Sequence, residues 1–454
     1  MNIPKVIDSV VNNDLCIGCG LCVYKCPNYA MEMKWNKLGF LIPELAGNCD
    51  SDGSCISVCP FNPFPEDEVR TENEIADRFL QENTQYHQKI GKYINIYAGY
   101  ANEFRLTSSS GGVATFIFTE LLERGIVDYI FSVKESYKDD VYYEYAVSSS
   151  KDELLKASKT KYYPVTLGTV MPIIHELNGK VAIVGVACFI KAIRLAQFKE
   201  PELKEKIPFL VGIICGGVKS RFFTEYLASK VGVKSGNYLK PQFRIKNLTS
   251  EANDYSFGCY DITKKQESIL KMRTVGDMWG TGLFKAKACD FCDDIAVELA
   301  DISLGDAWLK PYIKDGKGTN VIITRSSLAD QLINEGVKKG KLNIEPIQAN
   351  HFINSQKGSY NHRHKGLSYR IKQTKRLKVS IPPKRFDFQK APIDFKIIQK
   401  LRMRIRQKSL LVWKNILDSE LFDTKMKKEI KALRLITRIY HFKERLIKKI
   451  KGNR

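Results

Sequence analysis

The sequence predicts a mixed α/β protein, α+β overall, with a small cysteine-rich domain, a central α/β domain and a C-terminal α-helical tail. Three observations predict this division. Seven of the twelve cysteines fall between Cys16 and Cys59. From Tyr93 onward, strand-like apolar runs alternate with helical patterns, which is typical of α/β sheets. The formal net charge of +22 lies wholly after residue 360, where 29 Lys and Arg face 7 Asp and Glu.

Length and composition exclude several classes of protein. A chain of 454 residues with 44% hydrophobic residues predicts a globular protein of roughly two to four domains. The neutral first 360 residues argue against a protein that coats nucleic acid. No apolar run approaches the ~18 residues of a bilayer span, and the N-terminus lacks a signal-peptide pattern. We therefore expect a cytoplasmic protein whose clustered cysteines are reduced metal ligands.

The N-terminal cysteines have the spacing of two iron–sulfur clusters. In bacterial ferredoxins, a C-x2-C-x2-C-x3-C-P run gives three thiolates to one 4Fe-4S cluster and the fourth to its neighbour. The chain carries this run once in full and once with an aspartate in place of the second cysteine. The expected exchange assigns one cluster to Cys16, Cys19, Cys22 and Cys59, and the other to Cys26, Cys49, Asp52 and Cys55.

Asp52 predicts an unusual second cluster. A carboxylate is a harder and more weakly held iron ligand than a thiolate. We therefore hypothesise a labile iron, bound by Asp52 or water, and a cluster that can collapse to a three-iron form. The alternative is a solvated turn aspartate beside a degenerate site.

The strand-like runs at 30–35 and 38–43 complete a ferredoxin-like domain over residues 1–65. Residues 66–92 are polar, charged and helix-prone, and we expect them to form a linker.

The central domain, residues 93–360, opens with a predicted strand at 94–100, a Ser/Gly-rich loop and a helix at 113–123. Small residues at a helix N-terminus leave N–H groups free to bind phosphate. Helix capping alone would explain the same loop. The residues concerned are Ser108, Ser109, Ser110, Gly111 and Gly112.

Four cysteines of the central domain are candidates for a third cluster. Cys188 and Cys215 each follow a predicted buried strand, at the sheet edge where open α/β folds bind ligands. Cys289 and Cys292 form a close pair, and the four could hold one 4Fe-4S cluster. The alternative is that buried cysteines are merely small hydrophobic residues. Cys259 has no comparable context, and we expect it to be structural.

Several motifs occur in the order found in a known family. They are Ser108–Gly112, Ser158-Lys-Thr-Lys-Tyr162, the strand ending at Cys188, Cys215-Gly-Gly-Val-Lys-Ser220, and Cys289-x2-Cys292 followed by Ala300-Asp-Ile-Ser-Leu-Gly-Asp306-Ala-Trp308. This order resembles the family of beta subunits of coenzyme F420 hydrogenases and dehydrogenases. The chain is most similar to the bacterial branch that carries an N-terminal ferredoxin module and is found among polysaccharide-biosynthesis genes.

The resemblance implies a flavin, usually FAD and less often FMN, near a cluster and exchanging hydride with a coenzyme or small-molecule substrate. It implies that residues 108–112 hold flavin phosphate with Lys161 close by. It also implies that the four central cysteines bind the proximal cluster. Two positions depart from the family: Val186-Ala-Cys-Phe189 replaces the usual Thr-Pro-Cys-Gln, and Gly216 replaces the usual His.

The expected function is that of an iron–sulfur flavoprotein oxidoreductase, in polysaccharide biosynthesis if the gene association holds. The alternative is an electron-transfer subunit with no substrate of its own that feeds a partner reductase. In both cases we expect a redox partner protein or a ferredoxin.

The tail, residues 361–454, predicts two basic amphipathic helices at 395–417 and 425–451. Leu435, Ile439 and Phe442, with Leu446, form an apolar stripe among basic residues, which fits an anionic membrane surface on the inner membrane face. Two alternatives stay open: a helical hairpin packed on the protein, and RNA binding, the least favoured. We expect the nearby His362 and His364 to be solvated.

Overall fold

The structure, a computed structural model, describes residues 2–82, 85–138, 141–385 and 390–452. Residues 386–389 and 453–454 of the predicted tail lie outside the described residues. The predicted mixed α/β fold is confirmed, with a large mixed sheet in the centre and long helices at the C-terminal end.

The N-terminal domain has two short helices around one hairpin. A π-helical turn, Ile7–Val11, precedes α1 (Leu21–Tyr24), β1 (Met31–Trp35), β2 (Leu41–Leu45) and α2 (Ser54–Ser57). The hairpin pairs Met31 with Leu45 and Trp35 with Leu41, as the alternating pattern predicts. Both helices begin after a glycine of positive φ, Gly20 and Gly53. The two halves are therefore locally alike, as their matching cysteine runs suggest.

The segment that we expected to be a linker is folded against the central domain. It holds a 3-10 turn at Asp67–Val69 and the elements α3 (Glu72–Phe79), β3 (Gln85–His87) and β4 (Gly91–Tyr93). Thr71 caps α3, because its Oγ1 accepts the N–H of Asn73 while its own N–H donates to Glu74. Ile75 and Ala76 are buried. The domain boundaries themselves stay predictions.

The core of the central domain is an eight-stranded mixed sheet. Its first half comprises β5 (Asn95–Ala101), α4 (Val113–Glu123), β6 (Tyr129–Glu135), β7 (Tyr143–Ser148), α5 (Lys151–Ala157), α6 (Met171–Glu176), β8 (Val181–Val186), α7 (Ala187–Lys199), α8 (Glu202–Lys206) and β9 (Phe209–Ile213). Its second half comprises β13 (Ile302–Asp306), β14 (Asn320–Thr324), α11 (Ser327–Lys338) and β15 (Leu342–Pro346).

The strand order in this sheet is β15-β5-β14-β13-β9-β8-β6-β7. The four strands β13, β9, β8 and β6 run parallel, and the outer strands pair antiparallel. The residues of β8 and β9 are nearly all buried on both faces, which is typical of a parallel sheet covered by helices. The parallel strands therefore present their carboxyl ends at one edge.

A second, three-stranded sheet lies between the halves of the large sheet in sequence. It follows α9 (Phe222–Lys230), has the order β10-β11-β12 and precedes a long loop that carries the Cys289 pair. Its elements are β10 (Tyr238–Ile245), β11 (Ser256–Asp261), β12 (Gln266–Lys271) and the short α10 (Met272–Val275). Cys259 is fully buried in β11, as is Phe257.

The C-terminal part is helical. After α12 (Ala349–Ser355), α13 (Lys357–Tyr360) and a π-helical turn at Asn361–Lys365 come α14 (Leu367–Arg376), α15 (Ile393–Ile416) and α16 (Ser419–Gly452). The last two form a hairpin that packs on α9, with Ile405, Trp413 and Phe422 buried. Three alternatives were open for the tail, and its inner face corresponds to the helical hairpin packed on the protein. Within the described residues, no helix combines the length and the hydropathy that a bilayer span requires.

Candidate iron–sulfur and flavin sites

The structure brings together the first set of N-terminal cysteines. Cys22 lies in α1, Cys16 and Cys19 lie in the loop before it, and Cys59 follows α2. Burial raises the pKa of Cys22, and the nearby thiols of Cys19, Cys16 and Cys59 raise it further. Cys55 of the second set also contributes to the raised pKa of Cys22, so the two sets are neighbours. The arrangement matches the exchanged pairing expected for a two-cluster domain.

The second set is assembled in the same way around Cys55. Burial raises the pKa of Cys55, with further contributions from Cys26, Cys49 and Asp52. Backbone N–H groups point at two of these sulfurs, since Ala30 N donates to Cys26 Sγ at 3.3 Å and Ser51 N donates to Cys49 Sγ at 3.3 Å. Amide donors of this kind stabilise thiolates that bind iron.

Asp52 is near this set but is exposed and bonded within its own turn. Its Oδ1 accepts the N–H of Ser54 at 3.0 Å, and the Ser54 hydroxyl donates to Oδ2. This hydroxyl lowers the pKa of Asp52, so the carboxylate is ionised. The side chain therefore bonds Ser54, the first residue of α2, in this structure, and its role as an iron ligand stays a prediction.

The four central cysteines line one cavity at the carboxyl edge of the sheet. Cys188 lies in the first turn of α7 after β8, and Cys215 follows β9, as the strand patterns predict. Cys289 lies in a 3-10 turn (Lys287–Asp290), with Cys292 just after it. Burial raises the pKa of Cys188, and the other three thiols raise it further.

Donors surround these sulfurs. Gly217 N donates to Cys215 Sγ at 3.1 Å and Val218 N donates to Cys289 Sγ at 3.2 Å. No three His, Cys, Asp or Glu side chains in the described part of the chain surround a single metal ion. A 4Fe-4S cluster makes a different demand, because its four thiolates bind four separate irons. The thiol set and its amide donors fit a cluster of that kind.

The N-terminal domain closes this central cavity. Ile17 and Phe61, which neighbour the first cysteine set, line the cavity together with the four central thiols. Cys19 also contributes to the raised pKa of Cys188. The contact is tight, because Leu167 N donates to Cys19 O at 2.9 Å and a Cβ at Gly20 would lie 2.5 Å from Gly168 N.

A guanidinium group from the predicted tail completes the cavity wall. Arg363 Nη1 lies 3.3 Å from Cys292 Sγ and 3.0 Å from Asp294 O, and Nη2 donates to Cys215 O. Burial raises the pKa of Cys292 to about 11, and Arg363 opposes this shift. The sequence analysis missed this residue, because it lies 71 positions from its partner in a basic stretch.

The two histidines beside it are not solvated, so that expectation is wrong. His362 Nε2 lies 2.8 Å from Lys285 Nζ, and burial lowers the pKa of His362. His364 Nε2 lies 2.8 Å from Asp293 O. The segment that carries them packs onto the cavity, whereas its charged sequence suggested a solvent-facing edge.

The Ser/Gly loop precedes α4, as predicted. The serine hydroxyls of this loop contact other residues of the protein. Ser109 Oγ accepts the N–H of Thr160 at 2.9 Å, and Ser110 Oγ donates to Thr319 O at 3.2 Å. Ser108 Oγ lies 3.5 Å from Thr115 Oγ1. Gly112 has a φ of 81°, and a Cβ there would lie 2.7 Å from the Phe104 backbone. Capping and phosphate binding therefore both remain compatible with the loop.

Basic side chains gather around this loop, and sequence analysis missed most of them. Lys246 Nζ donates to Ser110 O at 2.8 Å and to Lys317 O at 2.6 Å. Arg105 Nε donates to Gly318 O at 2.8 Å. Arg105 lies in the loop before α4, where its only signal in the sequence is its charge. Lys246 follows β10, far from this loop along the chain, so no local pattern indicates its contact with Ser110.

Lys161 has a charge without an ion pair among the described residues, and Arg244 has an N–H donor without a hydrogen-bond partner among the described atoms. Both features would suit an anionic ligand. Lys161 Nζ donates to Ala157 O at 2.6 Å, and the described residues give it no ion pair. Burial lowers its pKa to about 7. Arg244 bonds Asp306 at 2.5 Å, but its buried Nε has no hydrogen-bond partner among the described atoms. The charge and the free donor of these residues fit a flavin phosphate group.

The two departures from the family pattern have local explanations. Phe189 is buried, and its ring stacks on Tyr145 with a centroid distance of 6.3 Å. At Gly216 a Cβ would lie 2.9 Å from the Trp279 ring. The ring of Trp279 therefore occupies space that a larger residue at position 216 would need.

Comparisons with known proteins agree with the order of these sites. Residues 96–171 match the N-terminal part, and residues 178–350 the C-terminal part, of the beta subunit of coenzyme F420 hydrogenase/dehydrogenase. The family "4Fe-4S dicluster domain" matches residues 15–62. The first two cysteine sets therefore lie in a 4Fe-4S dicluster domain.

Similar curated proteins extend these matches. A coenzyme F420-dependent sulfite reductase of Methanocaldococcus jannaschii is 23% identical over 75% of this chain, which spans only 49% of that protein. One subunit of the F420H2 dehydrogenase of Methanosarcina mazei is 22% identical over 68% of this chain and 82% of that one. A ferredoxin of Pyrobaculum islandicum is 45% identical over 51 residues, 11% of this chain and 45% of that protein.

Proposed function

The chain belongs to the family of coenzyme F420 hydrogenase/dehydrogenase beta subunits, and we propose that it is an iron–sulfur flavoprotein oxidoreductase. It passes electrons between two ferredoxin-type 4Fe-4S clusters, a central cluster and a flavin, FAD in preference to FMN. One observation carries the proposal: the four central thiols share a cavity whose wall includes Ile17 and Phe61 of the dicluster domain.

The neighbouring positions of the sites support a relay in one chain. Cys19 of the first set contributes to the raised pKa of Cys188 in the central set. Bound clusters would transfer single electrons, and a bound flavin would supply the two-electron hydride chemistry. The protein's part is to hold the thiolates, exclude water with Phe61 and Ile17, and keep cations near the flavin phosphate.

The side chains between the central cavity and the Ser/Gly loop are suited to a planar ring. The Arg244 guanidinium lies 4.8 Å from the Tyr255 ring centroid and 5.6 Å from that of Trp308. Tyr162 and Trp279 pack edge to face at 4.8 Å. Aromatic walls with a few placed polar groups are typical of cofactor pockets. We assign the flavin ring to this region.

The direct test supplies reduced ferredoxin to the anaerobic, flavin-loaded protein and follows the flavin absorbance. Cys188→Ser should slow flavin reduction at least about tenfold, because the central cluster loses a ligand. Cys259→Ala is the matched control, since Cys259 is buried in β11 and has no assigned role. Equal rates in Cys188→Ser and the unmodified protein would contradict the relay.

A second candidate function is that of an electron-transfer subunit with no substrate of its own. The relative from Methanosarcina mazei is itself named a subunit of a dehydrogenase, which favours this possibility. An assay with reduced viologen and coenzyme F420, or a sugar nucleotide if the polysaccharide association holds, separates the two. Turnover by the purified chain supports an enzyme, and its absence with a reducible flavin supports the electron-transfer role.

We also propose that the outer face of α16 binds an anionic membrane surface. Leu435, Ile439 and Phe442 are each more than half exposed, on the side away from buried Leu433 and Tyr440. Basic residues flank this stripe, as they do in helices that lie on anionic lipid. The proposal concerns location and is independent of the redox chemistry.

Flotation with vesicles tests this location. The full chain should float with vesicles that contain phosphatidylglycerol and stay behind with phosphatidylcholine alone. Phe442→Glu should reduce flotation severalfold, whereas Leu411→Glu, a change at an exposed apolar residue of α15, should not. Failure of the unmodified chain to float would exclude the membrane and leave a protein partner for the stripe.

A further inference from the structure

The predicted tail delivers its buried arginines to one side of the central cysteines. Arg363 touches Cys292 Sγ and Cys215 O directly. Arg370 is fully buried, and its Nε donates to Asp290 O at 2.7 Å, next to Cys289. These contacts come from residues beyond position 350, where the match to the beta subunits ends.

A second layer of charge surrounds Asp290. Its carboxylate pairs with Lys285 at 2.7 Å and with Arg406 at 3.1 Å. Arg402 Nη1 lies 3.5 Å from His362 Nδ1 in the same group. Burial lowers the pKa of His362, so it is neutral and adds no charge. Asp290 is thus one carboxylate among several largely buried cations: Lys285, Arg370, Arg402 and Arg406.

Such an excess of positive charge is costly in the interior unless an anion balances it. Two other carboxylates near the cavity have their own cations, because Asp293 pairs with Lys384 at 3.3 Å and Glu298 pairs with Arg385. Among the described residues, the acidic groups that act on Arg363 are the thiols of Cys292, Cys215 and Cys289 and the carboxylate of Asp294, which accepts the N–H of Glu298. A 4Fe-4S cluster held by the four thiolates would be an anion and would supply negative charge beside these cations.

We infer that Arg363 is a positioning residue for the central cluster. We also infer that the largely buried arginines of this basic segment, Arg363, Arg370, Arg402 and Arg406, raise the reduction potential of that cluster. The inference rests on the proposed function, because it assumes that the four thiols hold a cluster. Reduction adds one negative charge to the cluster, so a nearby buried cation stabilises the reduced form more than the oxidised form. The basic segment is therefore part of the redox site.

The test is an EPR-monitored redox titration of the anaerobic full chain. Cys215→Ser identifies the central cluster as the signal that disappears. Arg363→Gln removes the charge and should lower the midpoint potential of that signal, whereas Arg363→Lys should restore it in part. Arg404→Gln is the matched control, because Arg404 belongs to the same basic segment but its side chain is 70% exposed.

The outcomes separate this inference from the proposed function. A lower potential in Arg363→Gln with an unchanged potential in Arg404→Gln supports it. A loss of about four irons in Arg363→Gln but not in Arg363→Lys also supports it, since charge then decides retention. Equal potentials in all variants, or loss of the cluster from Arg363→Lys as well, overturn it. A protein without a third cluster signal before any substitution contradicts the proposed function itself.

Discussion

Asp52 is the residue at which the sequence pattern and the observed contacts differ most. It stands at a cysteine position in the ferredoxin frame, yet it bonds Ser54 and is exposed to solvent. An iron bound there would have to compete with those hydrogen bonds. Because a carboxylate binds iron more weakly than a thiolate, an iron at this position would be the first to be lost.

Aerobic purification should therefore produce a three-iron EPR signal that Asp52→Cys abolishes, because a thiolate holds the fourth iron more firmly. Asp50→Asn is the matched control: Asp50 is an exposed carboxylate in the same turn, bonded to Asn28 at 3.1 Å. This control should keep the three-iron signal. Full iron content and no such signal in the unmodified protein would show that Asp52 is a turn residue only.

Lys161 gives a prediction about pH. Burial lowers its pKa to about 7, so the free protein loses this charge as the pH rises above 7. A bound phosphate would hold the proton on Lys161, and binding would take up a proton in this range. The Kd for FAD should rise with pH, by up to about tenfold per unit above pH 7.

Equilibrium titration of the deflavinated protein with FAD at several pH values measures this effect. Lys161→Gln should bind FAD weakly and without the pH dependence. Lys156→Gln, a change at an exposed lysine of α5 that does not contribute to the lowered pKa of Lys161, should leave binding as it is in the unmodified protein. The same pH dependence in Lys161→Gln would remove Lys161 from the flavin site.

Local spacing made some of these residues predictable and hid others. The cysteines from Cys16 to Cys59 lie within short turns, so their spacing alone indicates their partners. Arg363 reaches Cys292 across 71 residues, and such a contact depends on how the helices pack. Lys246, which follows β10 of the other sheet, bonds Ser110 O of the Ser/Gly loop, and no local pattern encodes this contact.

At the level of elements, α3 shows why a charged helix was mistaken for a linker. Besides Ile75 and Ala76, the buried residue of this helix is the charged Glu72. Glu72 pairs with Lys191 of α7 at 3.0 Å, and both side chains are only 10% exposed. A hydrophobic pattern cannot report contacts of this kind. Helix α4, by contrast, begins and ends where its apolar periodicity predicts.

Glu72→Ala should destabilise the protein by about 3 to 5 kcal/mol, because Lys191 is left buried without a partner. Burial raises the pKa of Glu72, but Lys191 and Arg385 outweigh it and hold the pKa at about 2. The pair therefore stabilises the fold above about pH 4.5 and loses this contribution as the pH falls toward 2.

Anaerobic urea unfolding followed by circular dichroism measures the change. Asp77→Asn on the same helix is the control, because Asp77 is 70% exposed and pairs with Lys92 at the surface. Exposed pairs contribute about 0 to 1 kcal/mol. An equal change in the free energy of unfolding in the two variants would show that the buried Glu72–Lys191 pair contributes no more stability than an exposed pair.

On the scale of the whole molecule, the positive charge of the tail lies in two different places, one buried and one exposed. The sequence predicts that the +22 surplus is an accessory to a neutral body. The structure divides it, with Arg363, Arg370 and Arg406 buried around the central cysteines and the basic face of α16 exposed. Composition could locate the charge in the chain, but only tertiary contacts decide which part faces the interior.

The chain as a whole is one relay if three clusters and one flavin are present together. Anaerobic purification followed by quantitation of iron, sulfide and flavin tests this most directly. The account predicts about twelve irons and one flavin per chain. About eight irons and no flavin would contradict it, and would leave a dicluster electron carrier whose central thiols bind nothing.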